Sequence, residues 1–383
     1  MKIQKVCFFL PSSNRDGAEL CGLECLEALK ALGMQCHVIL PKKGPLVADL
    51  ETRRISYQII PYKVWIEPPI PVWKRLIFTL WNLFITYLTV FLVDRRRCDL
   101  VITNTVNIFV GALFAKLWGR PHIWYIHEFG YEDHGWRFHL GGKFSLWVMD
   151  HTSILCLACS QAVAHKYQGS IQPSKIHHLY FPIEVDPAYD LEAAPDKGPF
   201  PLTCAIVGRL QEGKRQEDAI RAIGHLRDQG INVQLWVVGG GDPAYAEFLK
   251  NLVAENNLGE QVTFFGQVDS AIPYMRKADV VLLCSRREVF ARVVVEAMRV
   301  GKPVIGSRAG GTVEQITDGF NGFLYELGNY KELATKIKYL IDHPEMARQM
   351  GENARKWAQT TLTRERYQND LARILFADRS LIT

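Results

Sequence analysis

The sequence predicts an α/β chain built from two doubly wound domains, and three observations predict it. Short apolar runs recur along its 383 residues, each followed by a Gly-, Ser- or Asn-containing turn and a helix-length segment. That alternation is the pattern of βα units feeding a parallel sheet. The alternation lapses over Pro182–Pro201, where Pro182, Pro187, Pro195, Pro199 and Pro201 stand among acids, and restarts at Thr203-Cys204-Ala205-Ile206-Val207. Such a stretch reads as a linker, and the total length suits two domains better than one. The expected organisation is one domain over 1–190, a second over 200–360 and a last helix over 361–383.

Composition narrows the class. Apolar content of 48% and charge of 22% describe a globular chain with ample core, and a net charge of +5 gives no case for nucleic acid. The positive excess is local: Lys42 to Arg120 holds 12 Lys/Arg against 5 Asp/Glu. Nine cysteines are scattered. Cys156 and Cys159 lie three apart in a strand-like run, so they point to opposite faces. They read as buried thiols of a reducing compartment, with no metal site. Met1–Leu10 runs straight into a strand with no cleavable leader pattern, so a cytoplasmic protein is expected.

In chain order, Val6–Leu10 reads as a buried strand. The turn from Ser12 to Glu19 then opens a helix to about Leu32, capped by Asn14 or Asp16, with Gly17 admitting a ligand close to the backbone. Cys36–Leu40 and Tyr57–Ile60 are further strands. Leu76 to Val93 carries no charge over 18 residues and touches the length of a membrane span. Thr79, Asn82, Thr86 and Thr89 interrupt it, and a crossover helix is needed there before the next strand. With Lys74-Arg75 before it and Arg95-Arg96-Arg97 after it, the segment 72–97 suits a helix packed on the sheet with its outer side on an anionic membrane surface. Trp65, Trp73 and Trp81 are candidate interfacial anchors. A very hydrophobic core helix is the plainer alternative.

Leu100–Asn104, His122–His127, Ile154–Cys159 and His177–Tyr180 continue as strands, with a helix at Ile108–Leu117. His127 stands at the carboxyl end of its strand, where open α/β sheets bind ligands. The segment from Gly130 to Phe144 reads as a mobile loop over an acceptor. His127, His134 and His139 match no standard zinc spacing. In the second half, Gly208-Arg209-Leu210 follows a strand and Lys214 opens a helix. Two cations straddling a strand end and a helix start can clamp a phosphate. Gln234–Val238 leads into Gly239-Gly240-Gly241, which is no dinucleotide fingerprint.

Val262–Gly266 and Val280–Cys284 are strands. Between the latter and the strand Pro303–Gly306 lie Glu288, in a loop, and Glu296, about two turns into a helix. Carboxylates at strand ends accept hydrogen bonds from sugar hydroxyls, and helix-opening N–H groups near Ala291 to Val293 suit a diphosphate. Taken alone, two acids eight apart equally describe a surface loop acid and an ordinary helix Glu. Gly310-Gly311 opens another helix, Asn321–Tyr325 is a final strand, and the tail reads as helices over Tyr330–Asp342, Pro344–Thr360 and Thr363–Phe376.

Taken together, Gly208-Arg209-Leu210…Lys214, the run Arg286 to Gly306 with Glu288 and Glu296, the strand-end His127 and the Gly17 turn resemble the retaining GT-B glycosyltransferases of family 4, over nearly the whole chain. The sequence departs from the family at Asp16, Arg215, Val289 and Ala291, where Gly is usual. The resemblance implies two Rossmann-like domains facing a cleft, with the last helix returning to the first domain. It implies transfer of a hexosyl group, with retention, from a nucleotide diphosphate sugar to a sugar, lipid-linked or polysaccharide acceptor. Arg209 and Lys214 are then the diphosphate clamp, Glu288 the sugar ligand, Glu296 the ribose ligand and His127 the group near the reacting carbon. Gly17, Gly208, Gly266, Phe290, Arg292, Val293, Gly310 and Gly311 complete the donor site. No cofactor or divalent metal is implied, and no Asp-x-Asp motif is present. Two other readings share the cleft: a nucleotide-sugar epimerase, separable by product analysis without acceptor, and a catalytically silent nucleotide-sugar-binding protein, which binds donor without turnover. A phosphorylase would need a pyridoxal-binding Lys, for which no signature appears.

Overall fold

The structure is a computed structural model that describes residues 3–94, 98–183, 185 and 202–376, with Asp133 and His134 described only in their backbone. Nearly all of the expected linker, the Arg95–Arg97 flank and the residues after Phe376 lie outside the described residues. The chain divides into two compact units, Met1–Pro182 with Arg364–Thr383, and Ile183–Thr363.

The first unit contains β1 (Lys5–Phe9), β2 (Gln35–Leu40), β3 (Ser56–Ile59), β4 (Ile66–Glu67), β5 (Leu100–Asn104), β6 (His122–Ile126), β7 (Arg137–Phe138), β8 (Leu155–Ala158) and β9 (Ile176–His178). Seven of these form a parallel sheet in the order β3-β2-β1-β5-β6-β8-β9, while β4 and β7 pair antiparallel. The central strands are buried along their length, as parallel strands covered by helices on both faces must be. Strand order reverses between β1 and β5, the kind of place where open α/β sheets bind ligands beyond the carboxyl ends of their strands. The last helix, Arg364–Phe376, belongs to this unit, as the resemblance implied. It buries Leu371 and Leu375, brings the Tyr367 hydroxyl 3.2 Å from that of Tyr125, and pairs Arg364 with Glu24 at 3.1 Å.

The second unit contains β10 (Leu202–Val207), β11 (Val233–Val238), β12 (Val262–Gly266), β13 (Val280–Leu283), β14 (Val304–Ser307) and β15 (Gly322–Tyr325), all parallel in the order β12-β11-β10-β13-β14-β15. Its switch point lies between β10 and β13. Val207 and Leu283 end these two strands, so the turn at Gly208-Arg209 and the loop through Glu288 leave the sheet side by side.

Four expectations need correction. Asp16 precedes the Gly17–Ala31 helix but makes no capping hydrogen bond; its carboxylate instead accepts from the Asn14 amide at 3.3 Å. The helix after Glu288 starts only at Arg292, because the chain stays extended at Ala291, so Glu296 lies little more than one turn in. Gly130–Phe144 is not one loop: it holds a short helix at Tyr131–His134, strand β7 and the start of the Gly142–Thr152 helix. Trp65 cannot anchor at a lipid interface. It is 1% exposed, its indole N–H donates to the Val106 carbonyl at 2.6 Å, and its ring stacks on Trp124.

Candidate functional site

In the second unit the site is assembled from three turns around the β10–β13 switch point. The first is Gly208-Arg209, where the chain leaves β10. The Gly239 N–H donates to the Gly266 carbonyl at 2.9 Å, and a Cβ on Gly239 would lie 2.1 Å from the Gly208 carbonyl oxygen. Only glycine, here at φ +138°, allows these backbones to meet so closely. Together the turns wall a cavity of about 560 Å³, with Arg209, Gln267 and Val268 on its rim. The Arg209 side chain is exposed and has no ion pair among the described residues.

The second turn, Glu212–Lys214, carries the Lys214 ammonium onto the Glu288 carboxylate. Cross-links join this turn to the Glu288 loop. The Arg286 N–H donates to the Gly213 carbonyl at 2.8 Å, and the Arg286 guanidinium reaches Glu212 at 3.1 Å. Just after it, Arg215 adopts φ +50°, a left-handed conformation that side chains rarely take. Its guanidinium holds both oxygens of the fully buried Asp218, at 2.7 and 2.8 Å. The charged fork stabilises a turn for which glycine would be the unstrained choice.

The third turn is Gly310-Gly311. The Gly311 N–H donates to the Glu288 carbonyl at 2.7 Å, while a Cβ on Gly310 would stand 2.3 Å from that same oxygen. The glycines are therefore required by the Glu288 backbone packed on them. Gly310→Ala, at φ +57°, is expected to destabilise the unit by more than about 1 kcal/mol and displace Glu288. Thermal denaturation and ligand-induced stabilisation of the variant would check both effects.

Phe290 is buried beside this loop. Gln315 clips the backbone of Ala291 at both ends, accepting from its N–H at 3.0 Å and donating to its carbonyl at 2.9 Å. Arg292 and Val293 then open the helix with half-buried side chains. Burial pushes the Glu296 carboxyl above the usual carboxylate range, and the Arg292 guanidinium 3.7 Å away offsets part of that rise. The unit thus gathers Arg209, Lys214, Glu288, Gly310 and Gly311 onto adjoining turns, with Glu296 on the helix that follows. Asp218 holds its turn through a partner three residues away, whereas Gln315 holds Ala291 from 24 residues away and carries no local sequence signal.

In the first unit, Gly17 begins its helix with open space where a Cβ would sit. His127 follows β6 and is buried. Asn104, the last residue of β5, ties the two together. Its amide N–H donates to the Ala18 carbonyl at 2.9 Å, leaving its oxygen to accept from His127 Nε2 at 2.9 Å. Nε2 therefore carries the proton. Nδ1 is left as a buried lone pair with no partner among the described residues. Burial lowers the His127 pKa to about 3, so the ring stays neutral and Nδ1 is an acceptor. Asn104 escaped the sequence reading, although its place at a strand's carboxyl end was a usable signal. Glu19 is buried nearby, accepts from the Ser12 hydroxyl at 2.6 Å, and has its carboxyl raised chiefly by burial.

The buried imidazole has a pH consequence. Between about 3 and its ordinary value of 6.5 the unfolded His127 binds a proton that the folded one refuses. Stability therefore rises with pH across that window and is lost as pH falls through it. His122, lowered to about 3 by burial, acts in the same sense. The raised carboxyls of Glu19 and Glu296 act in the opposite sense. The expected result is that the thermal midpoint of His127→Gln falls less than that of the wild type between pH 7 and pH 5.

Two Rossmann-like α/β units, each a doubly wound parallel sheet, are the parts of the GT-B class of architecture. Comparison with known proteins agrees. The sequence profile of "Glycosyl transferases group 1" matches residues 195–357, and that of "Glycosyltransferase Family 4" matches residues 15–186. The chain belongs to the family 4, group 1 glycosyltransferases. It is 33% identical over 150 residues to N-acetyl-alpha-D-glucosaminyl L-malate synthase of Bacillus anthracis, and 28% identical over 160 residues to the capsular polysaccharide biosynthesis glycosyltransferase CapM of Staphylococcus aureus. Each match spans 39% of this chain and 39% of the relative. In fold it is similar to HepE of Anabaena, solved in complex with UDP, with a TM-score of 0.78, 23% identity, and coverage of 98% of this chain and 100% of that one.

Proposed function

We propose that the protein transfers a hexosyl group, with retention of anomeric configuration, from a nucleotide diphosphate sugar to a sugar, lipid-linked or polysaccharide acceptor. The observation that carries this reading is the second unit's switch point. There Arg209, with no ion pair among the described residues, lines a cavity walled by backbone, and Lys214, balanced by Glu288, stands on the next turn. A diphosphate leaving group accumulates negative charge as the glycosidic bond breaks. Arg209 and Lys214 meet that charge, and the Lys214–Glu288 contact keeps the ammonium in place before the donor arrives. Glu288 is then free to accept from sugar hydroxyls. Glu296, with its raised carboxyl, lies one turn further in and accepts from the ribose. In the first unit, His127 Nδ1 offers a neutral acceptor to a sugar hydroxyl.

Attack on the same face as the departing phosphate lets that phosphate take the acceptor's proton, so no protein nucleophile is assigned. With two cations and backbone N–H groups on the diphosphate, the reaction needs no divalent metal. Uridine diphosphate sugars are the first donors to test, because the HepE fold relative was solved with UDP and with UDP-glucose. The likeness to CapM, a capsular polysaccharide biosynthesis glycosyltransferase, supports a role in polysaccharide biosynthesis.

The test is a thermal-shift screen against UDP-, GDP- and ADP-sugars in EDTA, followed by NMR of the product anomer. A matching donor at a hundredfold excess over its dissociation constant stabilises by about 2.7 kcal/mol. Loss of the shift in EDTA, or an inverted anomer, would overturn the metal-free or the retaining assignment respectively. A shift without turnover would favour the silent-binding alternative, and no shift with any donor in a folded sample would overturn the nucleotide-sugar reading.

A further inference from the structure

The helix Val72–Leu92 is inside out. It is the one described helix long and apolar enough to cross a bilayer, yet its polar residues are the buried ones. Asn82, Thr86 and Thr89 are fully buried at helical spacing. Asn82 accepts from the Lys63 N–H at 2.8 Å and donates to the Lys63 carbonyl at 2.9 Å. Thr86 and Thr89 donate to the Asn82 and Ile85 carbonyls at 2.6 and 2.7 Å. Their inward stripe, together with Ile85, docks the helix on its own unit. That docking makes a bilayer span untenable for this helix. The outward face is Trp73, Leu76, Leu80, Phe84 and Phe91, with Phe91 69% exposed. A water-facing helix turns its charged side out. This one turns out hydrocarbon and aromatic rings, as a helix lying in a leaflet does.

A cavity of about 510 Å³ opens at the N-terminal end of this helix, and Arg75, in the helix's first turns, forms part of its wall. Arg137 and Lys166 supply two more cations, Glu132 one carboxylate, and Trp136 and Phe138 an aromatic lining. Lys166 is held against the Glu132 carboxylate and the Phe129 carbonyl. Arg75 donates to the Ile70 carbonyl at 2.9 Å, and Arg137 lies 5.7 Å from the Tyr131 ring. Neither arginine has an ion pair among the described residues. With Lys166 answered by Glu132, two guanidinium charges remain for an anion, the charge of a phosphate or diphosphate.

We propose that this cavity takes the phosphorylated head group of a lipid whose tail lies in the leaflet covering the exposed helix face, so that the acceptor is a sugar carried on a lipid phosphate or diphosphate. A hydroxyl of that sugar forms the new glycosidic bond, the donor's sugar–phosphate bond breaks, and the hydroxyl proton leaves on the nucleoside diphosphate. Arg75 joins the two features: it belongs to the leaflet helix and to the anion site, which sets the site at head-group depth. A free phosphate would satisfy the arginines but would leave the aromatic wall and the apolar face uncovered. The proposal rests on the glycosyl-transfer reading for its chemistry, and its test is kept separate from donor binding.

The experiment is vesicle flotation of the full chain on phosphatidylcholine vesicles matched in surface charge, carrying either phosphatidylglycerol or a polyprenyl phosphate. The wild type is expected to bind both, and the polyprenyl phosphate roughly tenfold more tightly, a difference of about 1.4 kcal/mol. Arg75→Gln with Arg137→Gln should lose that preference while keeping phosphatidylglycerol binding. Phe84→Ser with Phe91→Ser should lose both. Equal binding of the two vesicles by the wild type overturns the head-group site, as does a preference that survives in the arginine variant. Equal competition by millimolar inorganic phosphate overturns the lipid source. Absence of vesicle binding, with sedimentation showing a dimer that the Phe84/Phe91 variant disrupts, assigns the face to a second copy and overturns the proposal. UDP-glucose stabilisation measured on the same samples shows whether the transfer reading stands independently.

Discussion

Arg209→Ala is expected to slow glycosyl transfer by about 10²–10³-fold, the loss seen when one preorganised donor to a developing anion is removed. The thermal midpoint should not move. The side chain is exposed and has no ion pair among the described residues, so its removal leaves no charge stranded in the fold. That separation makes it the sharpest test of the diphosphate clamp. Initial rates of nucleotide release with the best-stabilising donor, at saturating and limiting concentration, would show whether the loss falls on kcat. A loss confined to KM would assign Arg209 to ground-state binding alone. Near-wild-type rates in a folded variant would remove it from the site. Lys214→Ala is a less clean probe, because it also leaves the Glu288 carboxylate without its cation.

The second large effect concerns stability. Arg215→Ala should destabilise the second unit by about 3–5 kcal/mol, because it leaves the buried Asp218 carboxylate uncompensated. At about 2–4 °C per kcal/mol for a domain of this size, the thermal midpoint should drop by roughly 10 °C. Two contributions oppose each other here. The left-handed backbone at Arg215 carries strain that Gly would relieve. The paired fork to Asp218, at 2.7 and 2.8 Å, outweighs it. Arg215→Gly is therefore also expected to destabilise, but by less than Arg215→Ala. Adding Asp218→Asn to either variant should recover much of the loss, and the double-mutant cycle would give the coupling directly. A midpoint unchanged in Arg215→Ala would show that Asp218 finds water or another partner when the guanidinium is gone.

Much of this site was legible because its parts are local. Arg209 and Lys214 sit five positions apart at a strand end and a helix start. Glu288 and His127 likewise follow apolar runs that could only be strands. The supports were illegible because they act across the chain. Asn104 reaches both Ala18 and His127, and the polarity that buries the His127 ring comes from β5 and β6 lying side by side. Gln315 holds Ala291 from another turn altogether. Trp65 was misplaced for the same reason: a Trp beside a basic apolar segment suits an interface, and only the packing of its ring against Phe109, Trp124 and Phe138 shows where it goes.

The apolar segment divides the two kinds of information most clearly. Composition alone determined that a long apolar helix, charged only near its start at Lys74 and Arg75, crosses from one strand to the next. The periodicity of strands and turns determined two doubly wound units and the positions where their ligand turns fall. The direction of the helix was decided by tertiary structure. Thr79, Asn82, Thr86 and Thr89 looked like interruptions to an apolar run. In the fold they are the face that meets the protein, because Asn82 can satisfy both backbone groups of Lys63 and the threonine hydroxyls can return to the helix's own carbonyls. A polar group is buried only where partners exist for it. Those partners lie 19 residues away for Asn82, so the sequence held the polar stripe and the fold alone determined which way it turned.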